Sequence, residues 1–354
     1  MASSTVKASV LHGAKDIRLE ERSLPPLAAD EVLVAVKATG LCGSDLHYFN
    51  HFRNGDILVR EPLTLGHESA GVVIGVGSSV TSLRPGDHVA LEVGLPCGQC
   101  ELCAEGRYNI CRAMKFRSSA KAVPHAQGTL QESIIHPAKW CHKLPEEVSL
   151  DFGALVEPLS VAKHAQDRAK LPSGSTVLVF GAGAVGLLCA AMSKVAGAKT
   201  VVIADIQEDR VKFAVENKFA DASLVVPMKR PETIADKLGF AKEVADMVKT
   251  TEASIYATAP GGKIMLIGMG NPIQTLPISA AALREVDLVG VFRYANTYAP
   301  VIELLASKNP LLPDLSKLLT HRYSGMENIP KAFDMAAKVK DERGNLVLKV
   351  MVDM

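Results

Sequence analysis

A strand that runs into a glycine-rich turn and then a helix restricts this chain more than any other feature. Thr176-Val177-Leu178-Val179-Phe180 is a short apolar run, followed by Gly181-Ala182-Gly183-Ala184-Val185-Gly186 and a helical pattern over AVGLLCAAMSKVAG. A second strand-like run, KTVVIAD, ends on Asp205. Strand, helix and strand in this order imply a parallel sheet covered by helices. A glycine pattern of this type can be an ordinary strand–helix turn, but here the context is that of a dinucleotide site. Gly181 allows the tight turn, Gly183 lets the backbone approach a pyrophosphate, and Gly186 lets helix and strand pack closely. The helix start offers unpaired N–H groups and positive potential to the phosphates. Asp205 can accept hydrogen bonds from the adenosine ribose and repels a 2′-phosphate, which favours NAD over NADP. Arg210 pulls the other way, because a cation can bind that phosphate; it reads equally well as a helix-surface residue stacked on adenine.

The alternation continues with a helix over QEDRVKFAVENKFA, a short strand SLVV, and two later strands, KIMLIG and DLVGVF. Between DKLGFAKEVADMVKT and EASIYATAPGGKIMLIG one more central strand is expected, near residues 250–252. About fifteen residues, a strand with its loop and helical turns, are missing from the pattern. Either the written sequence omits residues that the molecule carries, or the chain has lost them. A true loss exposes backbone groups beside the first strand and predicts impaired cofactor binding and low stability.

Residues before about 150 are different. VKASVL, EVLVAVKAT, SAGVVIGVG and DHVALEV are strand-like runs separated by Gly, Pro and Asp. LDFGALVEPLSVAKHAQDRA reads as a helical connector, and the tail carries a helix near APVIELLAS and a last strand, LVLKVMV. A chain of 354 residues usually divides into two cores. With 39 Lys+Arg against 38 Asp+Glu there is no basic excess for phosphate backbones, so nucleic acid is not expected as a partner. The start lacks a secretory pattern and the apolar stretches are too short or broken to span a bilayer, so no membrane association and a cytoplasmic setting are expected.

Four of the seven cysteines, Cys97, Cys100, Cys103 and Cys111, crowd into one short loop. In a large chain without a secretory pattern this reads as metal binding and not as disulfides. Four thiolates close a tetrahedral shell around Zn²⁺ and leave no open position, which makes a structural site. An iron–sulfur cluster or free thiols are the alternatives. A second set is more dispersed: Cys42, His67, Glu68 and Glu157. Thiolate, imidazole and carboxylate all bind zinc, and a catalytic ion keeps three protein ligands and an open position. Taken singly, such residues near strand ends are more often core or surface.

Gly66-His67-Glu68-x2-Gly71-x5-Gly77-x2-Val80 and Cys42-Gly43-Ser44-Asp45-x-His47 resemble the signatures of the zinc-containing medium-chain dehydrogenase/reductase family. CGSDLHYF, GHESAG, ALVEPLSVA, REVDLVGVFRYANTY and LLTHRY are most similar to its polyol branch, the sorbitol, xylitol and L-arabinitol dehydrogenases. The resemblance covers the whole chain except the gap. It implies an α/β fold: a β-rich GroES-like catalytic domain over 1–156, a Rossmann domain with a doubly wound parallel sheet over 157–293, and a return to the first domain over 294–354. The full four-cysteine loop departs from animal sorbitol dehydrogenases and suits fungal, insect or microbial members.

By that resemblance, Cys42, His67 and Glu68 hold a catalytic zinc, with Glu157 bound directly or through water. Alcohol dehydrogenases proper usually have Cys where this chain has Glu157. Zinc lowers the pKa of a secondary hydroxyl of a small polyol, and hydride passes to NAD. Ser44 and His47 lead the proton outward. Tyr48, Arg293 and Tyr294 contact substrate and Phe116 forms an apolar wall, although plain packing is a close rival for Tyr48 and Phe116. Further cofactor contacts are implied at Val185, Asp205, Arg210, Ile267, Gly268, Met269, Val291, Phe292 and Arg293. Analogy suggests a homotetramer. The competing readings are another zinc alcohol or threonine dehydrogenase, and a catalytically impaired relative kept as a binding or structural protein.

Overall fold

The computed structural model describes residues 5–229, 232–247, 254–268 and 276–354, and divides into two compact units. The first comprises Met1–Pro158, Ala295–Ser307 and Leu318–Met354. Its centre is a seven-stranded sheet built around the strand Glu31–Gly40. Residues alternate strictly between buried and half-buried over Glu31–Val36, as expected for a strand with one covered face. Glu68–Val76 pairs antiparallel along one side of this strand, with Glu68 opposite Gly40. The other side is shared: Ser133–Pro137 pairs with its first half and the C-terminal strand Lys349–Asp353 with its second. The tail thus returns to the sheet centre, across the central strand from the start of Glu68–Val76. Helix Gly43–His51 follows the central strand directly, and its Tyr48 and Phe49 join Leu63, Leu65, Leu130, Phe333 and Val352 in the core.

The second unit comprises Leu159–Tyr294 and Lys308–Lys317, so a short piece of the tail belongs here and not to the first unit. Thr176–Phe180, Thr200–Asp205 and Ala222–Val225 form a three-stranded parallel sheet, and Lys263–Leu266 pairs parallel with Asp287–Gly290 as a separate sheet. Helices Ala184–Val195 and Glu208–Glu216 supply the crossovers of the larger sheet. The α/β class and its parallel strands follow the sequence pattern. The expected gap near residues 250–252 lies outside the described residues. Among those that are described, no ladder joins the two sheets, and Thr176–Phe180 has one neighbour strand. Val201–Ala204 are buried on both faces, whereas Val177, Leu178 and Val179 are only half-buried and Phe180 is 49% exposed. The strand that should lie innermost in a doubly wound sheet has the burial of an edge.

Candidate active site

Cys42, His67 and Glu68 come from separate elements. Cys42 caps the N-terminus of helix Gly43–His51, and Glu68 opens the strand Glu68–Val76. The turn before that strand depends on Gly66, whose φ of +92° suits glycine. A Cβ at Gly66 would also lie 2.9 Å from Leu130 Cγ and 3.1 Å from the Leu130 backbone N. The metal-binding atoms of Cys42, His67 and Glu68 all lie within 4.8 Å of one another, close enough for one ion to touch all three.

The surroundings orient these groups. Asp45 Oδ1 lies 3.2 Å from His67 Nδ1 and accepts hydrogen bonds from Ser118 Oγ (2.6 Å) and Gly66 N–H (3.2 Å), while Oδ2 accepts from Cys42 N–H (3.3 Å). This arrangement directs His67 Nδ1 at Asp45 and leaves Nε2 for an ion, with Ser44 Oγ 3.4 Å from Nε2. Burial opposes a charge on His67, but Asp45 and Cys42 outweigh it and push the imidazole well above its ordinary range. Burial likewise works against the Asp45 carboxylate, and His67 with the Ser118 and Gly66 hydrogen bonds overcomes it, leaving the pKa lowered. The pocket therefore favours positive charge among its anions, and the donor set fits a zinc ion. Glu157, on helix Leu150–Ala169, is 5% exposed.

The four-cysteine loop is equally informative. Its sulfur–sulfur distances are 3.5 Å for Cys100–Cys103, 3.6 Å for Cys97–Cys111, 3.8 Å for Cys100–Cys111 and 4.0 Å for Cys97–Cys103. A tetrahedral Zn²⁺ with ordinary Zn–S bonds sets its sulfurs about 3.8 Å apart. Disulfides need a far shorter contact, and a cluster of several irons needs a wider cage. The geometry thus fits one zinc ion. Backbone N–H groups of Gln99 and then Cys100 lower the Cys97 thiol to about 6, which favours the ligating thiolate. Tyr108, within the loop, donates to Glu92 Oε1 (2.7 Å) and accepts from Asn296 N–H (2.7 Å), tying the loop to the first unit.

In the second unit, Gly181 has φ +93° and a Cβ there would meet nothing within 4 Å. At Gly183 the nearest atom is Arg210 Nη1, 3.7 Å away, so the turn is open above both glycines. Gly183 caps helix Ala184–Val195, whose first N–H groups lack intrahelical partners. A Cβ at Gly186 would lie 1.8 Å from Gly181 O, so helix and turn are in direct contact there. Asp205 accepts from Ala182 N–H (2.6 Å) and Gln207 N–H (2.8 Å), and its remaining lone pairs are available to a ribose. An open turn, a helix start and a carboxylate fit a dinucleotide.

Residues 28–146 match the alcohol dehydrogenase GroES-like domain, and residues 184–307 match the zinc-binding dehydrogenase family. The chain belongs to the zinc-containing medium-chain dehydrogenases. A sorbitol dehydrogenase of Gallus gallus is 42% identical over 335 residues, covering 92% of either chain. A probable D-xylulose reductase A of Emericella nidulans is 44% identical, covering 84% of this chain and 85% of its own. Among solved structures, an Escherichia coli oxidoreductase/dehydrogenase of unknown specificity superposes with a TM-score of 0.82 at 30% identity, over 99% of both chains.

The remaining candidate residues of this dehydrogenase fall into two groups. In the first unit, His47 is exposed on the same helix as Ser44, three residues on, which places both on one face. Phe116 is buried, its ring 5.6 Å from that of His67. Tyr48 is also buried, and its hydroxyl accepts from Ala120 N–H (3.3 Å). In the second unit, Val185 and Phe292 are exposed, Ile267 and Gly268 follow the strand Lys263–Leu266, and Val291 is buried with its N–H on Leu266 O (2.8 Å). Arg293 adopts φ +51° with its guanidinium over the Phe292 ring, and Tyr294 is buried. Met269 lies outside the described residues.

Two residues beside the Cys42, His67 and Glu68 cluster carry no signal of their own as site residues in the sequence. Asp45 sits inside the Cys-Gly-Ser-Asp-x-His run, so its proximity to Cys42 was a usable signal. Lys349 is more than 280 positions from Cys42, His67 and Glu68, and nothing in the sequence marks it. Burial works against its charge, but Glu68, Cys42 and Glu157 outweigh it and raise its pKa. Asp45→Asn keeps the size and removes the charge that orients His67. It is expected to weaken binding at the Cys42–His67–Glu68 site by about 10–100-fold, read by competition with a chelator of known affinity.

Proposed function

We propose that the chain oxidises a secondary hydroxyl of a small polyol, such as sorbitol, xylitol or L-arabinitol, to the ketose with NAD as hydride acceptor. The observation that carries this is the convergence of Cys42, His67 and Glu68 within 4.8 Å, in a chain similar to a sorbitol dehydrogenase over 92% of its length. Zinc, when bound, supplies the Lewis acidity that makes a hydroxyl acidic near neutral pH. Cys42, His67 and Glu68 hold that ion, with Glu157 beside them, and the four-cysteine loop holds a structural one. Ser44 takes up the hydroxyl proton and His47, exposed on the same helix face, passes it to solvent. Phe116 forms an apolar wall; Tyr48, Arg293 and Tyr294 serve the polyol. Asp205 selects NAD by accepting from the ribose and repelling a 2′-phosphate. The homotetramer and the cytoplasmic setting are carried by the family resemblance. No described helix is long and apolar enough to cross a membrane.

Among the described residues the parallel strands fall into two sheets, which favours a second reading, a relative with weakened cofactor binding. NAD reduction over a panel of polyols, with and without a zinc chelator, tests both. Chelator-sensitive activity on sorbitol or xylitol is expected. Activity on ethanol or threonine with none on polyols rejects the substrate class, and NAD binding without turnover on any alcohol supports the impaired relative.

A further inference from the structure

Arg117 stands between two residues of the metal pocket but makes its own contacts elsewhere. Phe116 before it has its ring 5.6 Å from that of His67, and Ser118 after it donates to Asp45 Oδ1 (2.6 Å). The Arg117 guanidinium instead donates to Gln127 O (3.1 Å), Ile135 O (2.5 Å) and His136 Nδ1 (3.1 Å). An arginine only donates, so His136 Nδ1 accepts and its Nε2–H donates to Glu92 O (3.0 Å). Burial, and then the Arg117 charge, push the buried His136 well below its ordinary range, which keeps the ring in that neutral tautomer.

Ser118 has φ +65°, a left-handed conformation uncommon for residues other than glycine, asparagine and aspartate. Such a residue persists only where its surroundings over-determine it. Here Ser118 N–H donates to Ala126 O (2.9 Å), Arg117 N–H donates to Val93 O (3.2 Å), and the guanidinium fork fixes the residue before the strained one. The same fork grips Gln127, and the next three residues hold the turn that presents His67. Gly128 N–H donates to Thr64 O (2.7 Å), Thr129 N–H to Gly66 O (2.9 Å) and Leu130 N–H to Leu65 O (2.9 Å). Burial works against the Arg117 charge and lowers its pKa to about 10. Its three acceptors are two carbonyls and a neutral ring, so the clamp is a costly way to gain stability alone. We propose that Arg117 is a positioning residue for the zinc pocket: it holds Ser118 in the left-handed conformation from which Oγ reaches Asp45, and Asp45 then aims His67 at the ion. This deepens the function proposed above and rests on its metal site.

The test uses the full-length protein, Arg117→Met, Ser118→Ala and the double variant. Zinc affinity is read by graded chelator competition. Cobalt(II) substitution separates the mixed-donor site from the four-thiolate loop by its visible spectrum. Each single variant is expected to weaken zinc at the mixed site by about 10-fold, the lower end of what a lost outer partner costs, and to leave the loop site unchanged. Because both act through one hydroxyl, the double variant is expected to be no weaker than Ser118→Ala. Losses that multiply to about 100-fold in the double variant overturn the proposal, since the two residues would then act independently. Wild-type affinity in Arg117→Met or in Ser118→Ala also overturns it, because a lower Tm alone marks a structural role. Should Arg117→Met not fold, Arg117→Lys decides, since it keeps the cation and loses the fork. A loss of about 10-fold there supports the clamp, and wild-type affinity overturns it. Zinc confined to the four-thiolate loop of the wild-type protein rejects the function proposal itself, whatever the variants do.

Discussion

Cys42→Ser is expected to lose one of two zinc equivalents and to lower kcat/KM on polyols by on the order of 10³-fold, the several kcal/mol of charge stabilisation that a Lewis-acidic ion supplies. The thiolate is the soft anionic donor of the set. A serine hydroxyl neither ionises near neutral pH nor matches the affinity of sulfur for zinc. The fold should tolerate the change, because Cys42 caps helix Gly43–His51 in a capping box whose other half, Asp45 on the Cys42 N–H, is retained. Elemental analysis and steady-state kinetics on the same preparation check the result. Two zinc equivalents with undiminished turnover would show that Cys42 is not a ligand.

The second large effect belongs to the four-cysteine loop. Cys111→Ser removes the buried member of the set, whose sulfur also accepts the Cys97 N–H. Structural zinc contributes about 10 kcal/mol or more to local folding, comparable with the whole stability of a typical domain at about 5–15 kcal/mol. Tyr108 tethers the loop to Glu92 and Asn296, and Asn296 Nδ2 donates to Gly106 O (2.9 Å). The variant is therefore expected to lose the other zinc equivalent, to become sensitive to proteolysis within residues 97–111, and to melt well below the wild-type protein. Protease footprinting and thermal unfolding with and without added zinc measure this. A full zinc complement with unchanged cleavage would exclude a metal role for the loop. The two variants also dissect the metal content, because Cys42→Ser spares loop stability whereas Cys111→Ser spares the mixed-donor pocket in the molecules that remain folded.

The features visible in the sequence are those whose parts are adjacent in the chain. Gly181, Gly183 and Gly186 with Asp205 form one strand–turn–helix–strand unit, so their spacing already encodes the turn. Cys97, Cys100, Cys103 and Cys111 lie in one loop, and four thiolates within fifteen residues can close a shell with little help from the rest of the fold. Cys42, His67 and Glu68 were brought together only by resemblance to a family, because spacing carries no distance between elements. Lys349 had no local signal, and Tyr48 and Phe116 could be separated into ring contacts and backbone partners only with neighbours in place.

The element types, the glycine-rich turn and the four-cysteine loop were legible along the chain, because hydrophobic period, glycine placement and cysteine spacing are local quantities. Three-dimensional pairing was needed to set the C-terminal strand beside Gly40, to bring Lys349 to Glu68 and to give Thr176–Phe180 the burial of an edge. Sheet register and pairing join residues hundreds of positions apart, and that choice is made by which faces can be buried together, not by any one stretch of chain.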